Sequence, residues 1–518
     1  MRDERSNKKL IIVPFIIMLL LCTGCIKTSN VDNNNNHSKN DIFVLGVMSG
    51  ESIYPLDVTN DNFWTIIPNI FNGLVEFDKD FRIIPSLAVS WNNPDNLTWR
   101  FYLRQGVKFH NGNDFIAEDV RFSIDTFYGG YDSIIRELII LDNYTIEFKT
   151  YEPNPGLLSR LAHNGIIFCK NATEQPEGQR LIGTGAYKLA DYEVDNYTKL
   201  ERFDEYWGEK PEIKTVLFKE IEDTEERLNA LLSGTIDVAE YNIDDKIDQI
   251  AQEENITLVK YPPLSTYIIG FDMRENGSYG FPDGMNPTAD LRVRKAIYYA
   301  IDIAPLINGP FKSFAKPASQ FITPFIFGYN PEIERLQYNV TYSKQLLTEA
   351  GYPNGFDIVM DCITEGFEYN AENCRLIAEQ LSKVGINVSM NNLSIDEFNY
   401  KVVSQRNTSM YLVGWGTISV DGGMVYDLFL RSVEEYLGTI NSGYYSNAEV
   451  DRLGVAASRE MNPDKRLRLL QEGFRIAMID DVVVVPLFSQ ELFTLTAKNV
   501  AMEPRADLRV VVKDIKFT

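Results

Sequence analysis

Residues 87–125 read LAVSWNNPDNLTWRFYLRQGVKFHNGNDFIAEDVRFSID, and the interpretation of the whole chain depends on this stretch. Its polar side chains resemble an acid–base or metal-binding cluster: His110, Asp114, Glu118 and Asp119. Each of them also suits a scaffold. His110 precedes a predicted turn, where its ring can bond the backbone, and the three carboxylates lie at the start of a predicted helix, where they favour the positive end of the helix dipole. We therefore predict a structural role for this stretch.

Length and charge limit the classes of function. At 518 residues the chain is too long for one core, which predicts two or three domains. Its 44% hydrophobic and 12% aromatic residues are enough to build globular cores. The formal charge of −23 argues against nucleic acid as a partner, because phosphates would be repelled. An acidic surface is compatible with cationic or amine-bearing ligands.

The N-terminus is typical of an exported protein. Basic residues precede the apolar run LIIVPFIIMLLL, which is shorter than the roughly 20 residues of a spanning helix and contains Pro14. A basic region, a short apolar region and small residues predict a secretory signal over residues 1–24. An uncleaved signal anchor is the alternative.

The sequence LCTGC, residues 21–25, resembles a lipobox, in which Cys25 becomes the lipid-modified first residue of the mature protein. It has Cys22 where leucine is usual. Residues 25–40 are polar, rich in Asn and without periodicity, so they are interpreted as a flexible tether. We expect the protein at the cell surface or in the periplasm, anchored to the outer face of the cytoplasmic membrane.

The cysteines and histidines of the body exclude some chemistry. After Cys25 only Cys169, Cys362 and Cys374 remain, with no Cys-x-x-Cys, which excludes a disulfide scaffold and a thiolate zinc site of ordinary spacing. A Cys362–Cys374 bridge and buried free thiols are both open. His110 and His163 are too few for a multi-histidine metal centre, so no metal site and no cofactor are predicted.

Asn-X-Ser/Thr sequons are more frequent than chance, which would give roughly four. The excess has two interpretations, surface glycosylation or an Asn-rich composition, and the sequence does not choose between them. The sequon asparagines are Asn36, Asn96, Asn143, Asn171, Asn196, Asn255, Asn276, Asn339, Asn387, Asn392 and Asn407.

Strand-like and helix-like patterns alternate from Asp41 onward, which predicts an α/β architecture. Strand–helix–strand units follow one another between residues 340 and 416, and they predict a largely parallel sheet with helices on its faces. Ligands tend to bind at the carboxyl ends of such strands. The Gly-Trp-Gly at 414–416 follows a buried strand and is therefore a candidate site.

Motifs for enzymatic chemistry are missing from the sequence. It contains no Gly-x-Ser-x-Gly, no phosphate-binding Gly-x-x-x-x-Gly-Lys-Ser/Thr and no Gly-x-Gly-x-x-Gly. A pair of catalytic carboxylates cannot be tested by sequence, because the 73 acidic residues make pairs inevitable. An extracellular hydrolase therefore stays open as a hypothesis that no specific motif favours, and we predict that the protein is not an enzyme.

Residues 87–125 closely resemble the signature of the extracellular solute-binding proteins of family 5, the peptide- and nickel-type receptors of ABC importers. The resemblance covers about residues 41–518, and IGTGAYKL at 182–189 and YYSNAEVDRL at 444–453 look like other elements of that family. The matching signature positions are Leu87, Ala88, Ser90, Trp91, Leu103, Arg104, Gly106 to His110, Gly112, Ala117, Asp119, Val120, Phe122 and Ser123.

The resemblance implies an α/β, two-lobed periplasmic-binding-protein fold of type II, peptide-binding class, with a hinged cleft and an extra α+β domain on lobe one. The signature stretch would lie in that extra domain, away from the ligand. Crossovers near 271 and 482 would form the hinge. The implied segments are 41–74, 181–272 and 482–518 for lobe one, 75–180 for the extra domain and 273–481 for lobe two.

The resemblance leaves the ligand open among peptides, nickel chelates and saccharides. Oligopeptide binders commonly carry an aspartate three residues after the lobe-two tryptophan, whereas this chain has Ile418 there and its first carboxylate at Asp421. We predict a peptide or similar amine-bearing solute, delivered by a monomer to ABC permease subunits, with a nickel-chelate receptor as the alternative. The predicted ligand contacts are Trp415, Asp421, Tyr426, Tyr54 and Trp64.

Overall fold

A computed structural model describes most of the chain after residue 41. Among its described residues, no helix has the length and apolar character needed to cross a bilayer. The described residues are 42–48, 65–127, 131, 133–172, 181–240, 247–282, 284–309, 314–364, 370–416, 421–507 and 509–518.

The first part of the chain contains one strand of lobe one and the extra domain. Alternating side chains of TWRFYL bury Trp99, Phe101 and Leu103 on one face of a four-stranded antiparallel sheet, as the period of two predicts. Ala117, Val120 and Ile124 form the buried face of the following helix. The elements are β1 (Ile42–Val47), α1 (Ile67–Ile70), β2 (Val75–Phe77), β3 (Ile83–Pro85), β4 (Ala88–Asp95), β5 (Thr98–Leu103), α2 (Ala117–Phe127), β6 (Ile135–Asp142), β7 (Thr145–Thr150) and α3 (Leu157–Asn164).

The second part of the chain completes most of the lobe-one sheet. Its strand β10 pairs in parallel with β1 over Ile42–Val47, so the two parts belong to one sheet. The elements are β8 (Tyr187–Glu193), β9 (Tyr197–Arg202), β10 (Thr215–Glu220), α4 (Thr224–Leu232), β11 (Val238–Glu240), α5 (Ile247–Ile250) and β12 (Ile256–Tyr261).

Lobe two follows, and the last segment of the chain returns to lobe one. The elements of lobe two are β13 (Ser265–Phe271), α6 (Leu291–Ala300), α7 (Ala304–Asn308), β14 (Ala315–Pro317), α8 (Val340–Glu349), β15 (Phe356–Ile363), α9 (Asn370–Ser382), β16 (Ile386–Leu393), α10 (Ile395–Phe398), β17 (Met410–Gly416), α11 (Gly422–Val425), α12 (Ala448–Arg459), α13 (Pro463–Arg475) and β18 (Val484–Gln490). The returning segment contains β19 (Leu492–Ala497), β20 (Val500–Ala501) and β21 (Lys516–Phe517).

Two large sheets give the molecule its two lobes. Lobe one has seven strands in the order β12-β19-β11-β1-β10-β9-β8, and lobe two has six in the order β14-β18-β13-β17-β15-β16. The strands predicted between residues 340 and 416 are confirmed as parallel, since β17, β15 and β16 pair in parallel. The lobe-two sheet as a whole is mixed, because β13, β14 and β18 pair antiparallel with their neighbours. The reason is that β13 leads the chain away from lobe one and β18 leads it back.

The chain changes sheets twice, and both changes lie close together. Residues 262–264 join β12 of lobe one to β13 of lobe two, and Glu491 alone joins β18 to β19. The predicted crossovers near 271 and 482 fall within ten residues of these positions, inside or beside β13 and β18. Two short connections of this kind are the arrangement of a hinge between lobes.

Two of the three cysteines that the structure describes form a disulfide, which lies in lobe two. Cys362 on β15 and Cys374 on α9 form a disulfide with their Cα atoms 6.7 Å apart. Cys169 is a buried free thiol.

Candidate ligand-binding cleft

The strand ends place the cleft next to the hinge. In lobe one, β1 and β11 run in parallel, and Glu240 at the end of β11 is paired with Thr494, three residues after the crossing at Glu491. In lobe two, Gly416 at the end of β17 is paired with Ser265, the first residue after the other crossing. The carboxyl ends of the parallel strands in both lobes therefore lie at the hinge side, where ligands bind in open α/β sheets.

Trp415 lies at this edge, as its position at the end of a buried strand predicts. Its ring is partly exposed and contacts Phe429 edge to face, with 4.4 Å between the ring centroids. Its indole Nε1 is buried and has no hydrogen-bond partner among the described residues. An aromatic face beside an unpaired N–H donor can contact an apolar group and bind a carbonyl or carboxylate oxygen of a ligand.

Asp421 begins α11 and is already paired within the protein. Its Oδ1 accepts a hydrogen bond from the Gly423 N–H at 2.8 Å. Arg466 of α13 donates to both carboxylate oxygens, each at 2.7 Å. Both side chains are buried, at 5% and 7% exposure, so this is a two-pronged ion pair inside lobe two. The protein's own guanidinium thus occupies the place where the sequence predicts a ligand cation.

Tyr426 lies in the core of lobe two. Its side chain is 1% exposed and fits between Gly454 and Gly473, where any Cβ would collide with its ring or hydroxyl. The hydroxyl donates to the Val450 carbonyl at 2.8 Å. Of the other sequence-predicted sites, Tyr54, Trp64 and Cys25 lie outside the described residues.

Asp427 is a carboxylate of this region that sequence reasoning missed. It lies in the π-helical segment Tyr426–Leu430, one of three such segments among the described residues, and π turns are frequent at functional sites. Burial raises its pKa to about 6, against the opposing charges of Arg431 and Arg466. Its side chain is still 34% accessible, and Arg431 Nη1 lies 3.5 Å from its Oδ1. Asp427 is thus partly dehydrated, yet open to solvent and to a ligand.

A cavity of about 100 Å³ separates this region from the extra domain. Lobe one contributes Asn154, Pro155, Gly156 and Arg160, and lobe two contributes Asp421, Asp427 and Arg466 among others. Gly156 comes close to the carboxylate of Asp421, since a Cβ on it would lie 3.5 Å from Oδ2. At the rim, Arg459 pairs with Glu152 across the two lobes at 2.9 Å. We call residues 152–160 and 421–466, where they face each other, the seam.

The hinge contains a buried carboxylate held by lysines from both lobes. The Glu491 side chain is 9% exposed and lies 2.6 Å from Lys316 Nζ on β14 and 3.6 Å from Lys260 Nζ on β12. Its backbone N–H donates to the Phe314 carbonyl at 2.8 Å. The one residue that forms the second crossing is therefore bound by charge and by backbone to both sheets.

Residues 87–125 form a junction between the extra domain and lobe one. His110 bonds two backbone groups of the 182–189 segment, Nε2 donating to the Gly185 carbonyl at 3.0 Å and Nδ1 accepting from the Gly183 N–H at 3.3 Å. Burial lowers the pKa of His110 to about 4. Asp119 accepts the backbone N–H groups of Ile116 and Lys170. These side chains join backbone segments to one another, which is the structural role predicted for them.

Comparison with known proteins places the chain in a family. The family model described as bacterial extracellular solute-binding proteins, family 5 middle, matches residues 82–436. The chain belongs to this family. It is a solute-binding protein of the type that serves ABC importers, and it is not an enzyme, because the family is non-catalytic. The resemblance identified in residues 87–125 is thereby confirmed.

Individual relatives and structures agree over most of the chain. The glutathione-binding protein GsiB of Salmonella typhi is 23% identical over 478 residues, 89% of this chain and 91% of its own. The dipeptide-binding protein of Escherichia coli (strain K12) is 27% identical over 386 residues, 67% of this chain and 70% of its own. HbpA2 from Haemophilus parasuis has the same fold, with a TM-score of 0.82 at 22% identity over 92% of this chain and 100% of its own.

Proposed function

We propose that this protein captures peptides or related amine-bearing solutes outside the cytoplasmic membrane, closes its lobes around them and delivers them to the permease of an ABC importer. Two observations carry the proposal: Trp415, at the carboxyl end of β17, has an indole N–H with no partner among the described residues, and Asp427, on the seam, has a partly accessible carboxylate. Together they match a ligand that carries a carbonyl, an apolar part and a cation.

The names of the relatives favour the same ligand class. GsiB is named for glutathione and the Escherichia coli relative for dipeptides. Both ligands have peptide bonds, a primary ammonium group and carboxylates. A binding site for this class needs a hydrogen-bond donor for a peptide or carboxylate oxygen and a counter-charge for the ammonium group, which are the two groups that Trp415 and Asp427 offer.

Asp427 is a better partner than Asp421 for the ligand's ammonium group. Both oxygens of Asp421 already accept from Arg466, and a second cation would have to compete with a buried two-pronged pair. Asp427 has a longer contact with Arg431, which also bonds Asp451 at 3.2 Å. A ligand cation at Asp427 would lower its raised pKa and recover the energy that burial of the carboxylate costs.

Delivery to a membrane permease requires that the receptor stay near the membrane. We infer that Cys25 carries the lipid anchor and that residues 25–40 form the tether of a monomeric receptor. Labelling of the full chain with a radioactive fatty acid, with Cys25→Ser as the control, tests the anchor. The expected result is a labelled wild type and an unlabelled variant.

Titration calorimetry tests the ligand class. A free tripeptide is expected to bind at least tenfold tighter than its N-acetylated form, because acetylation removes the ammonium group. Trp415→Phe keeps the ring and removes the N–H, and we expect it to weaken tripeptide binding about fivefold to tenfold. Trp99→Phe is the matched control, since Trp99 Nε1 is also buried without a partner among the described residues but lies in the extra domain.

Two outcomes of that titration would overturn the proposal. Equal affinity for the free and acetylated tripeptides would remove the ammonium group from recognition. Binding of a nickel–histidine complex with no binding of any peptide would make the protein a chelate receptor of the same architecture.

A further inference from the structure

The sequons share one structural property. Ten of the eleven lie in the described part of the chain, and in all ten the asparagine side chain is exposed. They are Asn96, Asn143, Asn171, Asn196, Asn255, Asn276, Asn339, Asn387, Asn392 and Asn407.

The other asparagines behave differently. Among the 21 described asparagines outside sequons, seven are buried and eight are exposed. Asn69, Asn286 and Asn441, for example, are buried and hold backbone groups together through their amides. If sequons were only a consequence of an Asn-rich composition, ten asparagines drawn at random from all 31 described ones, of which 18 are exposed, would all be exposed in roughly one draw in a thousand. Composition therefore does not explain the exposure of the sequons.

Secondary structure does not explain the exposure either. Asn96, Asn143 and Asn196 lie in the turns of three β-hairpins, where asparagine is common for its turn conformation. The remaining sequons lie elsewhere. Asn339 is the N-cap of α8, and Asn387 belongs to β16, the edge strand of the lobe-two sheet. What the asparagines at hairpin tips, at a helix start and in an edge strand have in common is that each is exposed.

We propose that these asparagines are attachment sites for N-linked glycans. The donor would be a lipid-phosphate-linked oligosaccharide on the outer face of the cytoplasmic membrane, acted on by a membrane-bound transferase. The Asn Nδ2 forms a bond to the anomeric carbon, and the bond from that carbon to the phosphate oxygen breaks. The bonding pair leaves with the phosphate, the amide loses one proton and nothing is oxidised or reduced.

The fold tolerates glycans at these places. None of the ten asparagines lines the seam cavity or bonds Glu491 at the hinge. Asn196 Nδ2 donates to Glu193 at 2.9 Å and Asn387 Nδ2 donates to Asp357 at 2.8 Å. A glycosylated amide keeps one N–H, which can still donate to the same carboxylate. Lobe closure and stability are therefore compatible with glycans at all ten positions.

The hydroxyl residue two positions after the asparagine is buried at four of the described sequons and exposed at three. Thr98, Thr198, Ser278 and Ser409 are buried, at 2%, 3%, 8% and 1% exposure, so a transferase that reads this hydroxyl must act at Asn96, Asn196, Asn276 and Asn407 before the chain folds. Thr257, Thr341 and Ser389 are exposed, so Asn255, Asn339 and Asn387 stay available after folding. Modification of both groups indicates transfer during export, and modification of the second group alone indicates transfer to folded protein.

Mass spectrometry of the full chain, purified from membranes of the organism that encodes it, tests the proposal. The expected result is an intact mass above that of the lipidated polypeptide, with glycopeptides at sequon asparagines and none at other exposed asparagines such as Asn92 and Asn462. An intact mass equal to that of the lipidated polypeptide would overturn the proposal.

A pair of neighbouring asparagines provides a matched control. Asn255 is a sequon, whereas Asn499 is exposed nearby, with the Lys498 N–H bonded to the Asn255 carbonyl at 2.9 Å, but is followed by Val and Ala. In the native host, Thr257→Ala should lose one glycan mass, Thr257→Ser should keep it, and Ala501→Thr should add one at Asn499. If modification at Asn255 is unchanged by Thr257→Ala, the sequon is not what is recognised and the assignment fails.

Discussion

The junction around His110 and the seam around Asp427 each place a titratable group in a partly dehydrated site, with opposite consequences. His110 is neutral and joins two backbone segments, and burial lowers its pKa to about 4. Asp427 keeps a third of its side chain in water, and burial raises its pKa to about 6. A polar side chain whose hydrogen-bonding groups are all bonded to the protein's own backbone has a structural role. A polar side chain that is partly dehydrated but still accessible is available to a ligand.

In the seam, Asp421 is paired within the protein whereas Asp427 is the proposed ligand contact, and removal of Asp421 has the largest expected effect. Asp421→Ala leaves Arg466 buried without its carboxylate, so we expect the free energy of unfolding to fall by about 3–5 kcal/mol. Urea unfolding measures this loss. Asp290→Ala is the control, because Asp290 also caps a helix and pairs with an arginine, but that pair is exposed.

The affinity of folded Asp421→Ala for a tripeptide should change less than threefold. Unchanged stability together with a 30-fold loss of affinity would return Asp421 to the ligand site and erase the distinction from Asp427.

His110 makes the junction sensitive to acid. Between pH 6.5 and about 4 the unfolded chain takes up a proton that the folded chain does not, so the free energy of unfolding falls as the pH falls, by about 3 kcal/mol. His110→Gln should be less stable at pH 7, because backbone hydrogen bonds are lost, and should show a shallower fall in that window. Some slope should remain, since burial also lowers the pKa of His163, to about 3. Equal slopes in wild type and variant would show that His110 is protonated in the fold.

Asp427 makes the free energy of unfolding depend on pH in the opposite direction from His110. Between about pH 4 and 6 the unfolded chain releases its proton first, so the free energy of unfolding falls as pH rises, by about 1 kcal/mol once the accessible third of the side chain is considered. Asp427→Asn should remove this fall and be more stable at pH 7 by a similar amount. Tripeptide affinity should drop below pH 6 in the wild type but stay flat in the variant. A wild-type affinity independent of pH between 5 and 7 would argue against Asp427 as the counter-charge.

The variant Glu491→Gln tests whether charge holds the hinge, and it has the smallest expected effect on stability. Glu491→Gln leaves Lys260 and Lys316, both at least half exposed, and should cost at most about 1 kcal/mol of stability. Its effect should appear instead in the dimensions of the ligand-free protein by small-angle scattering. Glu503→Gln is the control, since Glu503 pairs with Lys79 on the surface. Identical scattering from all three proteins would remove Glu491 from control of the hinge.

Much of the fold could be predicted from local sequence. The family signature in residues 87–125, the alternation of strands and helices and the place of Trp415 at a strand end depend on neighbouring residues and are confirmed. The directions of β13 and β18 could not be predicted, because they depend on where the chain enters and leaves lobe two.

The candidate site was less predictable, because its chemistry depends on pairs distant in sequence. Arg466 lies 45 residues after Asp421, and no sequence motif predicts that the two form an ion pair. Asp427 carries no motif, and only its burial and its distance from Arg431 distinguish it from the other carboxylates. Glu491 is visible as a hinge residue only once the two sheets are known.

Native mass spectrometry of the soluble body, residues 42–518, purified without denaturation, tests the central claim most directly. A receptor for peptides that tolerates varied side chains should retain a ladder of adducts with peptide masses, which disappears on unfolding. A single discrete adduct with a nickel isotope pattern would contradict the claim and assign the cleft to a metal chelate.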